Sequence, residues 1–138
     1  MKKLGIIGCG QIAIHHLESL RCVGFEVDFA ASSKGSKTIN FFAKKNDIKN
    51  YFFDPNELIQ KSNLLDGLVL TCPTSEMIYY LKKLKKFYKP ILIEKPISYN
   101  FESIFATQMG GKGSYTYSKR ESLQSIRFYA QTEPLLNH

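Results

Sequence analysis

Short apolar runs alternate with amphipathic stretches from residue 4 to residue 93. Residues 4–7 form an apolar run that ends in a glycine turn, and apolar positions then recur at helical spacing over 11–21. Residues 25–31 predict a second strand, 36–45 a second helix and 51–53 a short third strand. Asp54-Pro55-Asn56-Glu57 is a helix start: Asp54 can cap free N–H groups, Pro55 suits the first helical position, and Glu57 can complete a capping box. Residues 68–71 are continuously apolar, as expected of a central parallel strand covered on both faces. A helix over 75–87 and a fifth strand over 90–93 complete the series.

Strands alternating with helices predict an α/β fold, a doubly wound parallel sheet in a single domain over residues 1–98. Beyond Ser98 the alternation weakens. A helix over 101–109, a glycine-rich breaker over 110–114 and a helix over 120–131, from Leu123, Ile126 and Tyr129 or Ala130, make 99–138 a short irregular or helical extension.

The length of 138 residues fits one domain, and 43% hydrophobic with 13% aromatic residues excludes a wholly disordered chain. The net charge of +7 favours anionic partners such as nucleotide phosphates or acidic metabolites. No arginine-rich or aromatic-interleaved pattern points to nucleic acid. Lys82, Lys83, Lys85 and Lys86 read instead as a solvated face flanking Leu81, Leu84 and Phe87. Cys9, Cys22 and Cys72 have neither metal-ligand nor disulfide-framework spacing, so a reducing cytoplasm is expected. The opening residues are too short for a signal peptide, and no apolar run approaches the roughly eighteen residues of a membrane span.

The sharpest motif is Gly8-Cys9-Gly10-Gln11-Ile12-Ala13, a G-x-G-x-x-A between a strand and a helix. Gly8 permits the tight turn, Gly10 lets the backbone approach a pyrophosphate, and Ala13 lets the helix pack closely on the strand. Phosphates would sit on the free N–H groups and positive dipole end of that helix. A methyltransferase with an adenosyl sulfonium cofactor can use a similar loop. An acidic residue is expected about twenty residues beyond the glycines, at the end of the second strand. Asp28 has that spacing but falls mid-strand, and the strand end reads Ala31-Ser32-Ser33-Lys34. Hydroxyls and a cation without a carboxylate suit a ribose 2′-phosphate, which favours NADP over NAD; a plain polar turn is the alternative.

Glu94-Lys95-Pro96-Ile97-Ser98 closes the fifth strand, at the edge where open α/β sheets bind ligands. Together with the glycine loop, with Ile12-Ala13-Ile14-His15-His16 and with Thr71-Cys72-Pro73, it resembles the Gfo/Idh/MocA oxidoreductases over residues 2 to about 100. That resemblance implies a Rossmann domain and hydride transfer between nicotinamide and a sugar- or polyol-type substrate. It implies that Gly8, Gly10 and Ala13 contact the pyrophosphate, with Gln11 and Ile12 also in the cofactor site. Ser32, Ser33 and Lys34 would surround the adenosine ribose, although relatives often have Arg where Ser33 stands. Thr71, Cys72 and Pro73 would line the nicotinamide half. Glu94 and Lys95 would flank the nicotinamide, with Lys95 reaching the substrate and Glu94 supporting it. Met77 departs from the family, which commonly has His there. His15 and His16 read as helix residues without a catalytic role.

Family members continue well beyond this length into a second domain that supplies most substrate contacts and the general acid–base. Ser125-Ile126-Arg127-Phe128-Tyr129 is similar to a stretch just after the cofactor domain in some relatives, so 99–138 reads as a shortened remnant. Two functions follow as expectations. One is an oxidoreductase domain inactive alone and completed by another chain. The other is a non-catalytic dinucleotide-binding or redox-sensing module of a truncated gene, with self-association possible through surface left uncovered.

Overall fold

The computed structural model describes residues 2–33 and 35–94, together with the backbone of two further strands at 113–116 and 127–130. Five strands form one parallel sheet: β1 (Lys3–Ile7), β2 (Glu26–Ala31), β3 (Asn50–Phe52), β4 (Gly67–Leu70) and β5 (Ile91–Ile93). Their order is β3-β2-β1-β4-β5. Four α-helices, α1 (Gln11–Cys22), α2 (Thr38–Lys45), α3 (Pro55–Gln60) and α4 (Thr74–Lys83), and a 3-10 turn at Ser62–Leu64 connect them.

Alternation along the strands feeds a core on each face. Leu4 and Ile6 of β1, Val27 and Ala30 of β2 and Val69 of β4 pack with Ala13 and Leu17 of α1 and with Ile39 and Phe42 of α2. Ile7, Phe29, Ala31, Leu68 and Leu70 point the other way, toward Leu58 of α3 and Met77, Tyr80 and Leu81 of α4. β4 is buried at every position, as the continuous apolar run requires.

Local signals set the element ends. Asp54 caps α3 by accepting from the backbone N–H of Asn56 at 3.0 Å, with Pro55 in the first turn. The fourth helix is shorter than its apolar spacing predicts: it ends at Lys83, and turns carry Leu84 and Phe87 into the core. Lys82, Lys83, Lys85 and Lys86 are exposed around those buried residues. Among the described residues no helix is long and apolar enough to cross a membrane.

The extension differs from its expected form where it is described. β6 (Gly113–Thr116) and β7 (Arg127–Ala130) pair antiparallel, Gly113 opposite Ala130 and Thr116 opposite Arg127. This corrects the helix expected over 120–131 at its residues 127–130, and the breaker at Gly113 and Ser114. Phe128 and Tyr129 are strand-favouring aromatics, and three spaced apolar positions do not outweigh a partner strand that pairs the backbone. The helix expected over 101–109 lies outside the described residues.

Candidate functional site

The strand order reverses direction between β1 and β4, and the carboxyl ends of the strands there open into a cleft of about 410 Å³. Its floor is the glycine loop. Gly8 has φ +105°, and a Cβ on it would lie 2.6 Å from the backbone of Thr71 and Cys72. It is therefore glycine twice over, for its left-handed backbone and for the contact between the ends of β1 and β4. The Gly8 N–H donates to the Ala31 carbonyl at 2.8 Å, and the Thr71 hydroxyl donates to the Gly8 carbonyl at 3.0 Å. Three strand ends are thus sewn together around one residue.

Gly10 is different. Its backbone is extended, a conformation open to any residue, and a Cβ there would meet nothing within 4 Å. What glycine provides at this position is open space over the first turn of α1. No side-chain cap satisfies the N–H groups of that turn, and no acid stands in it. Positive partial charge is left facing the cleft.

The other lining groups fit a polar ligand. Ser32 is 1% exposed, yet its buried hydroxyl has no hydrogen-bond partner among the described residues. A buried hydroxyl of this kind calls for a partner supplied from outside the chain. Ile12 offers an exposed apolar side chain at the rim. Free N–H groups, space over Gly10 and an orphan hydroxyl together form a cradle that fits a phosphate-bearing nucleotide.

The residues expected at the site take different places. Gly8, Gly10, Ile12, Ser32, Ser33 and Thr71 line the cleft, as do Cys72, Pro73 and Glu94. Gln11 is exposed in the first turn of α1 outside that lining. Ala13 is fully buried on the inner face of α1, where its small side chain lets the helix pack closely on the sheet. Asp28 lies within β2, three residues short of its end. Met77 is buried with its sulfur 3.8 Å from Cys72, so the position where relatives carry His faces the core. Lys34 and Lys95 lie outside the described residues.

Two cross-sheet contacts were not legible in the sequence. His16 Nε2 of α1 lies 2.6 Å from Glu94 Oε2 at the end of β5, both groups being half-buried. The family spacing singles out His16, but only the packing of α1 over the sheet reveals its partner. Ser33 Oγ donates to Glu76 Oε2 at 2.8 Å, joining the end of β2 to the first turn of α4. Nothing in the local pattern around Glu76 signals this.

Burial pushes the thiols of Cys9 and Cys72 up to about 12, with the Glu76 carboxylate adding to the effect at Cys72. Neither thiol is an activated nucleophile.

A glycine loop opening a helix at the switch point of a parallel sheet is the arrangement of a nucleotide-binding Rossmann domain. The family model described as "Oxidoreductase family, NAD-binding Rossmann fold" (Gfo/Idh/MocA) matches residues 2–109. The chain belongs to the Gfo/Idh/MocA oxidoreductase family. It is 28% identical over 106 residues to the myo-inositol 2-dehydrogenase of Thermotoga maritima, covering 74% of this chain and 30% of that relative. The chain thus spans about 30% of the length of the curated relative it matches. Among solved structures, a probable dehydrogenase from Thermotoga maritima superposes with a TM-score of 0.71 at 22% identity, over 80% of this chain and 33% of the other. The WlbA dehydrogenase from Bordetella pertussis, solved with NADH and UDP-GlcNAcA, gives 0.69 at 17% identity, over 78% and 33%. At these identities the structures attest the shared fold.

Proposed function

We propose that residues 1–98 form the cofactor module of a dehydrogenase, with a nicotinamide dinucleotide laid across the cleft and its pyrophosphate over Gly10 and the first turn of α1. The observation that carries this reading is the open space at Gly10 beside uncapped N–H groups. Gly8 shapes the turn, Ile12 contacts the cofactor, and Ser32 supplies a hydroxyl for its adenosine half. When bound, the nicotinamide accepts or gives a hydride. Glu94 and Lys95, together with Thr71, Cys72 and Pro73, belong to the nicotinamide half, with Lys95 contacting substrate. The Thr71 hydroxyl is engaged by Gly8 and Ile7, which makes it a support of the floor.

The substrate class is a sugar or polyol, consistent with relatives named for myo-inositol and one solved with UDP-GlcNAcA. Residues 99–138 are an extension outside this module. The free cysteines suit a reducing, cytoplasmic setting. The preference for NADP that Ser32, Ser33 and Lys34 suggest is set against the Glu76 carboxylate bound to Ser33, which favours NAD.

The test is a fluorescence titration of NADH into the folded chain and into Gly10→Val. The wild type binds, and the variant loses at least about tenfold in affinity while giving up less than about 1 kcal/mol of stability. Equal affinities would move the pyrophosphate away from Gly10. An absence of binding by the folded wild type would overturn the cofactor reading.

A further inference from the structure

We infer that Glu76, reaching across from α4 to the end of β2, selects the cofactor with a free ribose 2′-hydroxyl over one with a 2′-phosphate. The inference rests on the cofactor reading above and adds the residue that sets its specificity.

β2 ends at Ala31, followed by Ser32-Ser33, and carries no acid of its own at the edge where an adenosine ribose rests in this fold. The structure brings one there from a different element. Glu76 Oε2 accepts from Ser33 Oγ at 2.8 Å across a sequence separation of 43. Ser33 is itself held, because its carbonyl accepts from the N–H of Ser36 at 2.9 Å in a turn that places Gly35 at φ +85°. The hydroxyl that grips the carboxylate therefore has a defined position at the lip of the cleft.

An acid in the first turn of a helix is stabilising on its own account, because it complements the positive end of the dipole. That role requires no contact with β2. The bond to Ser33 aims the carboxylate over the strand end, and the group is half-buried there, which weakens screening. A carboxylate accepts several hydrogen bonds, so the one from Ser33 leaves capacity for a ribose hydroxyl. A 2′-phosphate brought to the same place sets like charges against each other and offers no proton to share. Lys34, next in sequence to Ser33, carries the opposite charge, and the measured preference reports which group prevails.

The experiment titrates NADH and NADPH separately into the full chain, as wild type, Glu76→Gln and Ser33→Ala, with thermal unfolding recorded for each. The wild type is expected to bind NADH about tenfold more tightly than NADPH, the effect of one like-charge contact near the surface. Glu76→Gln brings the two affinities together, chiefly by tightening NADPH. Ser33→Ala leaves the charge but frees it, and narrows the gap less. A wild type that binds NADPH as tightly as NADH or better overturns the inference and leaves the cofactor reading standing. So does an unchanged ratio in a folded Glu76→Gln. Binding of neither cofactor by the folded wild type removes the cofactor reading and this inference with it.

Discussion

The two halves of the sheet's carboxyl edge are built by opposite means. On the β1–β2 side the site consists of backbone and space: a left-handed Gly8 after β1 pressed against the end of β4, an unfilled volume over Gly10, and a Ser32 hydroxyl without a partner among the described residues. On the β4–β5 side it consists of side chains tied across the sheet, Thr71 to the Gly8 carbonyl and Glu94 to His16. A pyrophosphate asks for N–H groups and clearance, which a glycine loop opening a helix supplies. Oriented side chains, by contrast, have to be held by partners.

The largest effect expected from probing this contrast lies in the loop itself. Gly8→Val adds a Cβ 2.6 Å from neighbouring backbone at a φ of +105°, and should destabilise the chain by about 3 kcal/mol in urea unfolding. Gly10→Val, two residues on, should leave folding nearly intact and lose binding. Similar stability losses in the two variants would erase the distinction between a glycine that shapes the fold and one that clears the site.

On the other side, His16→Ala and Glu94→Ala should each lose about 1 kcal/mol, with a coupling of about 0.5–1 kcal/mol in a double-mutant cycle. Strict additivity would show that the 2.6 Å contact does not hold the end of β5.

The smallest effect concerns the thiols. Cys22 is exposed, while Cys9 and Cys72 are held protonated by burial, their thiols raised to about 12. Alkylation at pH 8 followed by mass spectrometry should modify Cys22 first. Because the folded values lie above the ordinary thiol value near 8.5, the stability these groups contribute is complete below that pH and is lost as pH rises toward 12. Fast labelling of Cys72 at pH 8 would show that the floor beneath the β4 end opens readily.

Much of the fold was legible because each element announces itself locally. The apolar run at β4, the Asp54-Pro55 cap and the glycine loop after β1 each depend on residues within a few positions. The exceptions are informative. α4 ends early because turns bury Leu84 and Phe87 as well as a longer helix would. At Phe128 and Tyr129 a weak helical spacing gave way to strand pairing with β6. In the site, Gly8 and Gly10 stood out together as a motif, yet their opposite roles appear only when the neighbouring backbone is in place. The end of β2 carries no acid of its own, and only the tertiary structure brings the Glu76 carboxylate of α4 to Ser33 there.

By itself the amino-acid sequence determined a parallel α/β domain, a glycine loop at the start of α1 and the family to which both belong. Those properties are carried by period, caps and glycines, which are short-range. The tertiary structure alone decided that His16 meets Glu94 and that Ser33 meets Glu76, pairs separated by 78 and 43 positions. No local rule relates residues so far apart, because their meeting depends on strand order, on the face each helix covers and on where each helix begins.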